Sequence, residues 1–224
     1  MAERAATARK SADERRDEIV RATLGIVATK GFAGVTLREV ATEVGIVHGL
    51  IRHYFAGRDE LVAAAFEHAV TAELAGDDAL VSGLAPVPAL AAWLAATPEQ
   101  HYRVWIDAWS EAPRTPALAA ALERHHSECE GILTQLIARV LDERGDAASA
   151  ERDPAVESRL LTAVTDGVAV QQHAVGTLDA DAANAIVFSF AEQRLGLAPG
   201  ELARARPVPT RGRWTERGSV TPVD

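Results

Sequence analysis

A single cysteine, Cys129, stands in a chain of 224 residues, so no intrachain disulfide is possible. A lone thiol suits a reducing, cytoplasmic setting. Aromatic residues make up only 5% of the chain and β-branched residues are thinly spread, while alanine, leucine and glutamate recur throughout. That balance disfavours sheet and favours helix nearly everywhere. No run of about 18 apolar residues occurs, so no membrane span is expected. The opening stretch MAERAATARKSADERRDEI is polar and mixed in charge, without the apolar core of a signal peptide.

What is present is enough for a sizeable core. Apolar residues are 48% of the chain and charged residues 25%, over a length that allows one large domain or two small ones. The net charge of −9 is unevenly spread. Residues 1–60 carry 10 Lys/Arg and 9 Asp/Glu, residues 61–198 carry 8 and 20, and residues 199–224 carry 5 and 3. The acidity thus sits in the middle of the chain. A polyanion could still be bound by the first 60 residues, because local cations and not the total set phosphate affinity.

Helical periodicity places a helix over 12–30, with Ile19, Thr23, Ile26 and Val27 as its buried stripe. Gly31 ends it as a left-handed C′ residue. Thr36 with Glu39 reads as a capping box opening a short helix. Gly45 permits a tight turn, and a second short helix is expected over 47–54. A fourth helix starts at Arg58 and runs to about residue 75, where Gly76-Asp77-Asp78 marks a break. Further helices are expected over 87–96 and 99–112, then a long one ending near Arg144, then 154–175 and 180–195. The domain reading is a disordered 1–10, a three-helix head over 11–57, a helical body over 58–198 and a disordered tail over 199–224.

The segment TLREVATEVGIVHGLIRHYFAGRDEL, residues 36–61, has the layout of a helix-turn-helix, a unit that lays its second helix in the DNA major groove. Its order of Gly31-Phe32, Thr36, the turn at Gly45, H-G-L-I-R-H-Y-F and a charged residue before Leu61 resembles the TetR family of bacterial transcriptional regulators. G-L-I-R-H-Y-F, with W-I-D-A-W-S-E-A and L-L-T-A-V-T-D-G-V further on, is most similar to the BetI-like branch. The resemblance implies an all-α fold, an N-terminal helix-turn-helix domain followed by a helical ligand-binding and dimerisation domain. Carried over by position, Val47, His48 and Gly49 face base edges, and Arg52, His53 and Tyr54 lie near phosphates or bases. Thr36 meets a phosphate at a helix N-terminus, and Arg58 meets another where the family usually has Lys. Val47 departs from a common Ser or Thr, exchanging a hydroxyl contact for a possible thymine-methyl contact. Leu50 and Arg52 depart from a common polar residue and a common Tyr.

Beyond the head, His101, Trp105 and Trp109 are spaced by four and share a helix face. They read either as core packing or, with His125, Cys129 and Gln171, as the wall of an effector pocket. The BetI-like branch points toward a quaternary ammonium ligand such as choline, but a branch does not fix a ligand, and the effector stays unidentified. His125, His126 and Cys129 also allow a metal or thiol-enzyme reading. No second ligand cluster, cofactor motif or oxyanion loop accompanies them, so no metal, cofactor or catalytic residue is expected. The stripes Leu160, Val164, Val168 and Ile186, Val187, Phe190 read as a homodimer interface, as the resemblance implies. The resulting expectation is a dimeric, ligand-responsive repressor of a palindromic operator in double-stranded DNA, not an enzyme. An activator or a ligand-independent regulator of the same fold is the nearest alternative.

Overall fold

The computed structural model describes residues 10–95 and 99–207, and within them all side chains except those of 73, 76–80 and 99–101. The described residues form helices and turns without a strand. α1 (Ala12–Lys30) opens on a full capping box, Ser11 with Glu14, in which the Glu14 N–H donates to Ser11 Oγ at 3.1 Å and the Ser11 N–H to the Glu14 carboxylate at 2.7 Å. The box expected at Thr36 is only half formed. Thr36 Oγ1 accepts the Glu39 N–H at 3.2 Å, but the Glu39 carboxylate is drawn to the Lys30 ammonium instead.

α2 (Leu37–Val44) ends at Gly45, left-handed at φ 72, ψ 35, as the turn requires. α3 is shorter than expected. Only His48–Ile51 is α-helical, and the N–H groups of His53 and Tyr54 reach back three residues to Leu50 and Ile51 in tighter turns. α4 (Arg58–Val81) does not break at residue 76. One glycine costs a helix about 1 kcal/mol relative to alanine, and here Val81, buried in the body, anchors the far end. α5 (Pro86–Leu94), α6 (Glu99–Glu111) and the long α7 (Pro116–Arg144) follow. The expected loop after α7 contains a one-turn helix, α8 (Ala147–Ala150), capped by Asp146. α9 (Pro154–Val170) runs into one wider turn of π-helix, Gln171–Val175, closed by Gly176 at φ 73.

α10 (Ala180–Leu195) is followed by α11 (Glu201–Ala205), inside the segment expected to be disordered. The buried Glu192 carboxylate accepts the N–H groups of Gly200 and Leu202 at 2.8 and 2.9 Å, and Leu202 is fully buried. The Pro, Gly and Arg content of the tail hid that anchor, and residues 199–207 belong to the body; 1–9 and 208–224 lie outside the described residues.

Two cores result. The first joins Ile19, Phe32, Val40, Ile51 and Phe55 of the head to Leu61, Phe66 and Val70 of α4, to Ala108 of α6 and to Leu118 and Leu122 of α7. The second joins Leu90, Ile137, Leu161, Phe188, Leu195 and Leu202. The first core therefore crosses residue 57, where the head was expected to end.

Candidate nucleic-acid interface and effector region

The head presents a row of side chains that the fold does not use. Ile51 and Phe55 turn inward, at 0% and 1% exposure, and hold α3 on α1 and α4. With those two buried, helical geometry throws Val47, His48, Gly49, Arg52 and His53 outward, and all five are exposed, Val47 at 76%. Among the described residues the side chains of His48, Arg52 and His53 have no hydrogen-bond or ion-pair partner. Thr36 is exposed and keeps its hydroxyl proton free while its oxygen caps α2. Tyr54 is half-buried against the first core. Gly49 is not required by the backbone: it lacks a positive φ, and an added Cβ would meet nothing within 4 Å.

Arg58 is the exception among the expected DNA contacts. Nε donates to the Val35 carbonyl at 3.0 Å, Nη1 to Asp59 at 3.3 Å and Thr115 Oγ1 at 3.4 Å, and Nη2 to the Phe32 carbonyl at 2.7 Å and Glu111 Oε1 at 2.9 Å. A guanidinium has five N–H donors, so none is left for a phosphate in this conformation. Sequence position could not reveal acceptors 53 and 57 residues further along the chain. Glu111 is itself buried. Burial pushes its carboxyl up, but hydrogen bonds from Arg58, Thr115 and Arg114 outweigh that and hold it below the usual glutamate range.

The nominated effector residues do not form one wall. Trp105 and Trp109 are half-buried and pack on the first core, their rings 6.1 Å apart. Phe66 meets Trp105 edge-on at 5.1 Å and His125 at 5.9 Å. His125 is buried, with Nδ1 3.0 Å from Glu128. Gln171 is exposed on the π-turn, and Cys129 is half-buried; the side chain of His101 lies outside the described residues. Sequence reasoning missed Tyr102, which stacks on His173 at 5.4 Å. Asp166 faces His126 at 3.8 Å. Its carboxyl is pushed up by burial, against a smaller downward pull from His126. The π-turn brings His173 to α6; such wider turns are frequent at functional sites. An open groove of about 450 Å³ lies elsewhere, between α10 and α11, and is lined by none of these residues. Among the described residues no three His, Cys, Asp or Glu side chains converge as a metal site, and no helix is long and apolar enough to cross a membrane.

The interface stripes need a similar correction. Leu160 and Ile186 are exposed, at 39% and 43%, but Val168 and Val187 are buried in the second core of the same chain. Val164 and Phe190 pack partly against that core. Val156 is also exposed, at 47%, one turn before Leu160. With Ala163 and Gly167, both exposed, it completes a stripe at helical spacing along α9.

Known proteins agree with this layout. Residues 19–65 match the family described as bacterial regulatory proteins, tetR family, and residues 88–196 match the BetI-type transcriptional repressor C-terminal domain. The regulator PksA of Bacillus subtilis (strain 168) is 38% identical over 55 residues, 25% of this chain and 27% of that protein. The regulator BetI of Brucella suis biovar 1 (strain 1330) is 28% identical over 185 residues, covering 77% of this chain and 86% of that one. A TetR transcription regulator from Haloarcula marismortui ATCC 43049 superimposes with a TM-score of 0.68 at 19% identity, over 83% of this chain and 98% of that one. An exposed helix-turn-helix head is matched by the first of these families and the helical body by the second: the chain belongs to the TetR family of DNA-binding transcriptional regulators, with a BetI-type C-terminal domain.

Proposed function

We propose that the protein is a homodimeric, ligand-responsive repressor that binds a palindromic operator. The observation that carries this reading is the exposed row Val47, His48, Gly49, Arg52 and His53, whose polar side chains have no partner among the described residues and which sits on a buried core. Val47 and His48 open α3 and are the side chains that reach base edges; Arg52, His53 and Thr36 meet phosphates or base edges beside them. Arg58 acts inside the protein.

Two recognition helices must sit about 34 Å apart to enter successive major grooves on one face of the duplex. The apolar stripe Val156, Leu160, Ala163, with Ile186 and Phe190 on the neighbouring helix, supports a two-fold pairing that holds them there. The effector is a small molecule taken up beside α6, near Tyr102, Trp105, His126 and Asp166. It relieves repression only if it binds the two states of the protein with different affinity.

The test is a fluorescence-anisotropy titration against the DNA upstream of the protein's own reading frame, at two salt concentrations, with an Arg52→Ala/His53→Ala variant. Tight wild-type binding that weakens with salt, and is lost in the variant, is expected. Equal binding by the variant would sink the assignment of α3. A reporter driven by the bound promoter, read with and without the protein, gives the sign of control.

A further inference from the structure

Head and body are locked together at one residue of the turn after α1. Gly31 has φ 70 and ψ 173, a backbone region open almost only to glycine. A Cβ there would stand 2.8 and 2.9 Å from the two carboxylate oxygens of Asp107 on α6. The missing side chain lets Asp107 Oδ2 accept the Phe32 N–H at 2.5 Å, across 75 residues of chain. On its other side, the Phe32 carbonyl accepts Arg58 Nη2, and Glu111 holds that same nitrogen at 2.9 Å. Asp107 and Glu111 are one turn apart on α6. Both main-chain polar groups of Phe32 are therefore tied to α6, one directly and one through a single guanidinium. The Phe32 ring is fully buried 6.2 Å from Phe66, which meets Trp105 of the same helix.

The apolar contacts of this seam attract without fixing direction. Short hydrogen bonds to charged groups do fix direction. We propose that Asp107 and Glu111 are positioning residues for operator recognition: by clamping the Phe32 main chain they make α6 set the angle at which each protomer presents α3, and hence the half-site spacing the dimer accepts. This rests on the dimeric, operator-binding reading above. It gives the aromatic helix a defined handle on the DNA-binding head, because displacing α6 moves the two oxygens that hold the turn.

The experiment takes a duplex selected by the full-length wild type from a random-sequence pool. Variants of that duplex gain or lose one base pair between half-sites, a shift of about 3.4 Å. Wild type is expected to lose about tenfold or more in affinity at either wrong spacing. Asp107→Ala and Glu111→Ala, tested singly, should bind the best duplex but lose less than about threefold at the wrong spacings, since the coupling is gone. Asp107→Asn and Glu111→Gln keep a weaker acceptor oxygen and should fall between. A merely structural role would lower the melting temperature and leave the profile steep, and steep profiles in the alanine variants overturn the proposal. Should the alanine variants fail to fold, the amide pair decides, and wild-type steepness in both overturns it. A wild type that selects no DNA would instead overturn the functional reading.

Discussion

Buried and half-buried carboxylates serve both cores, but they join different things. In the second core Glu157 takes Nε and Nη2 of Arg194 at 2.7 and 2.6 Å, tying α9 to α10, and Glu192 holds the start of α11. These elements already share one apolar cluster. In the first core Asp107 and Glu111 reach the turn after α1, at the seam between the head and the rest. The same chemistry therefore fixes a shape in one place and a relation between two parts in the other. Loss of the first kind of bond should cost stability alone, whereas loss of the second should also cost an angle.

The largest effect that probes this contrast is truncation of the seam itself. Phe32→Ala empties a fully buried site and should lower stability by about 3–5 kcal/mol in a urea melt, and it should also blunt half-site spacing discrimination. Leu161→Ala, equally buried in the second core, should cost about 2–5 kcal/mol and leave the spacing preference alone. A changed spacing preference in Leu161→Ala would erase the distinction between the cores.

A smaller effect is expected from a carboxylate of the shape-fixing kind. Glu157 is 4% exposed but the Arg194 side chain is 38% exposed, so part of that pair is screened by water. Glu157→Ala should therefore cost on the order of 2–3 kcal/mol, less than a fully buried pair. DNA affinity and spacing preference should match wild type at a temperature where the variant is folded. Were Glu157→Ala to flatten the spacing profile as Glu111→Ala does, the clamp would have no special role.

Legibility in the sequence follows the range of the forces involved. Helix spacing placed Ile19, Thr23, Ile26 and Val27 in the core, where they lie, because amphipathic periodicity is a local property. The outward row on α3 was readable for the same reason, together with the resemblance of its motif to a known family. The internal partners of Arg58 were not legible because its five acceptors come from three stretches of the chain, 32–35, 59 and 111–115. Val168 and Val187 were misread because an apolar stripe does not reveal whether its own chain or a second copy covers it. Asp107 left one trace, the G-F pair at 31–32. A glycine followed by a buried aromatic indicated a helix end, not the carboxylate that sits against it.

The gentlest change separates fold from function within the head. Gly49 sits in α3 with an ordinary backbone conformation and open space where a Cβ would go. Nothing among the described residues explains a glycine there, and helices disfavour it. Gly49→Ala should therefore raise stability slightly, by about 0.5 kcal/mol, through a smaller entropy loss on folding. Against DNA the sign reverses. A methyl group added at a surface lying against base edges or sugar-phosphate displaces α3 and weakens the contacts beside it, so operator affinity should fall by about 1–3 kcal/mol. The seam should be untouched, so the spacing profile keeps its steepness while the whole curve moves to weaker binding. That combination of a firmer head, weaker binding and an unchanged spacing preference is the inverse of what loss of the Asp107–Glu111 clamp should produce. An alanine variant that binds as tightly as wild type would show that the N-terminal end of α3 stands clear of the duplex, and that Arg52 and His53 carry recognition without Val47 and His48.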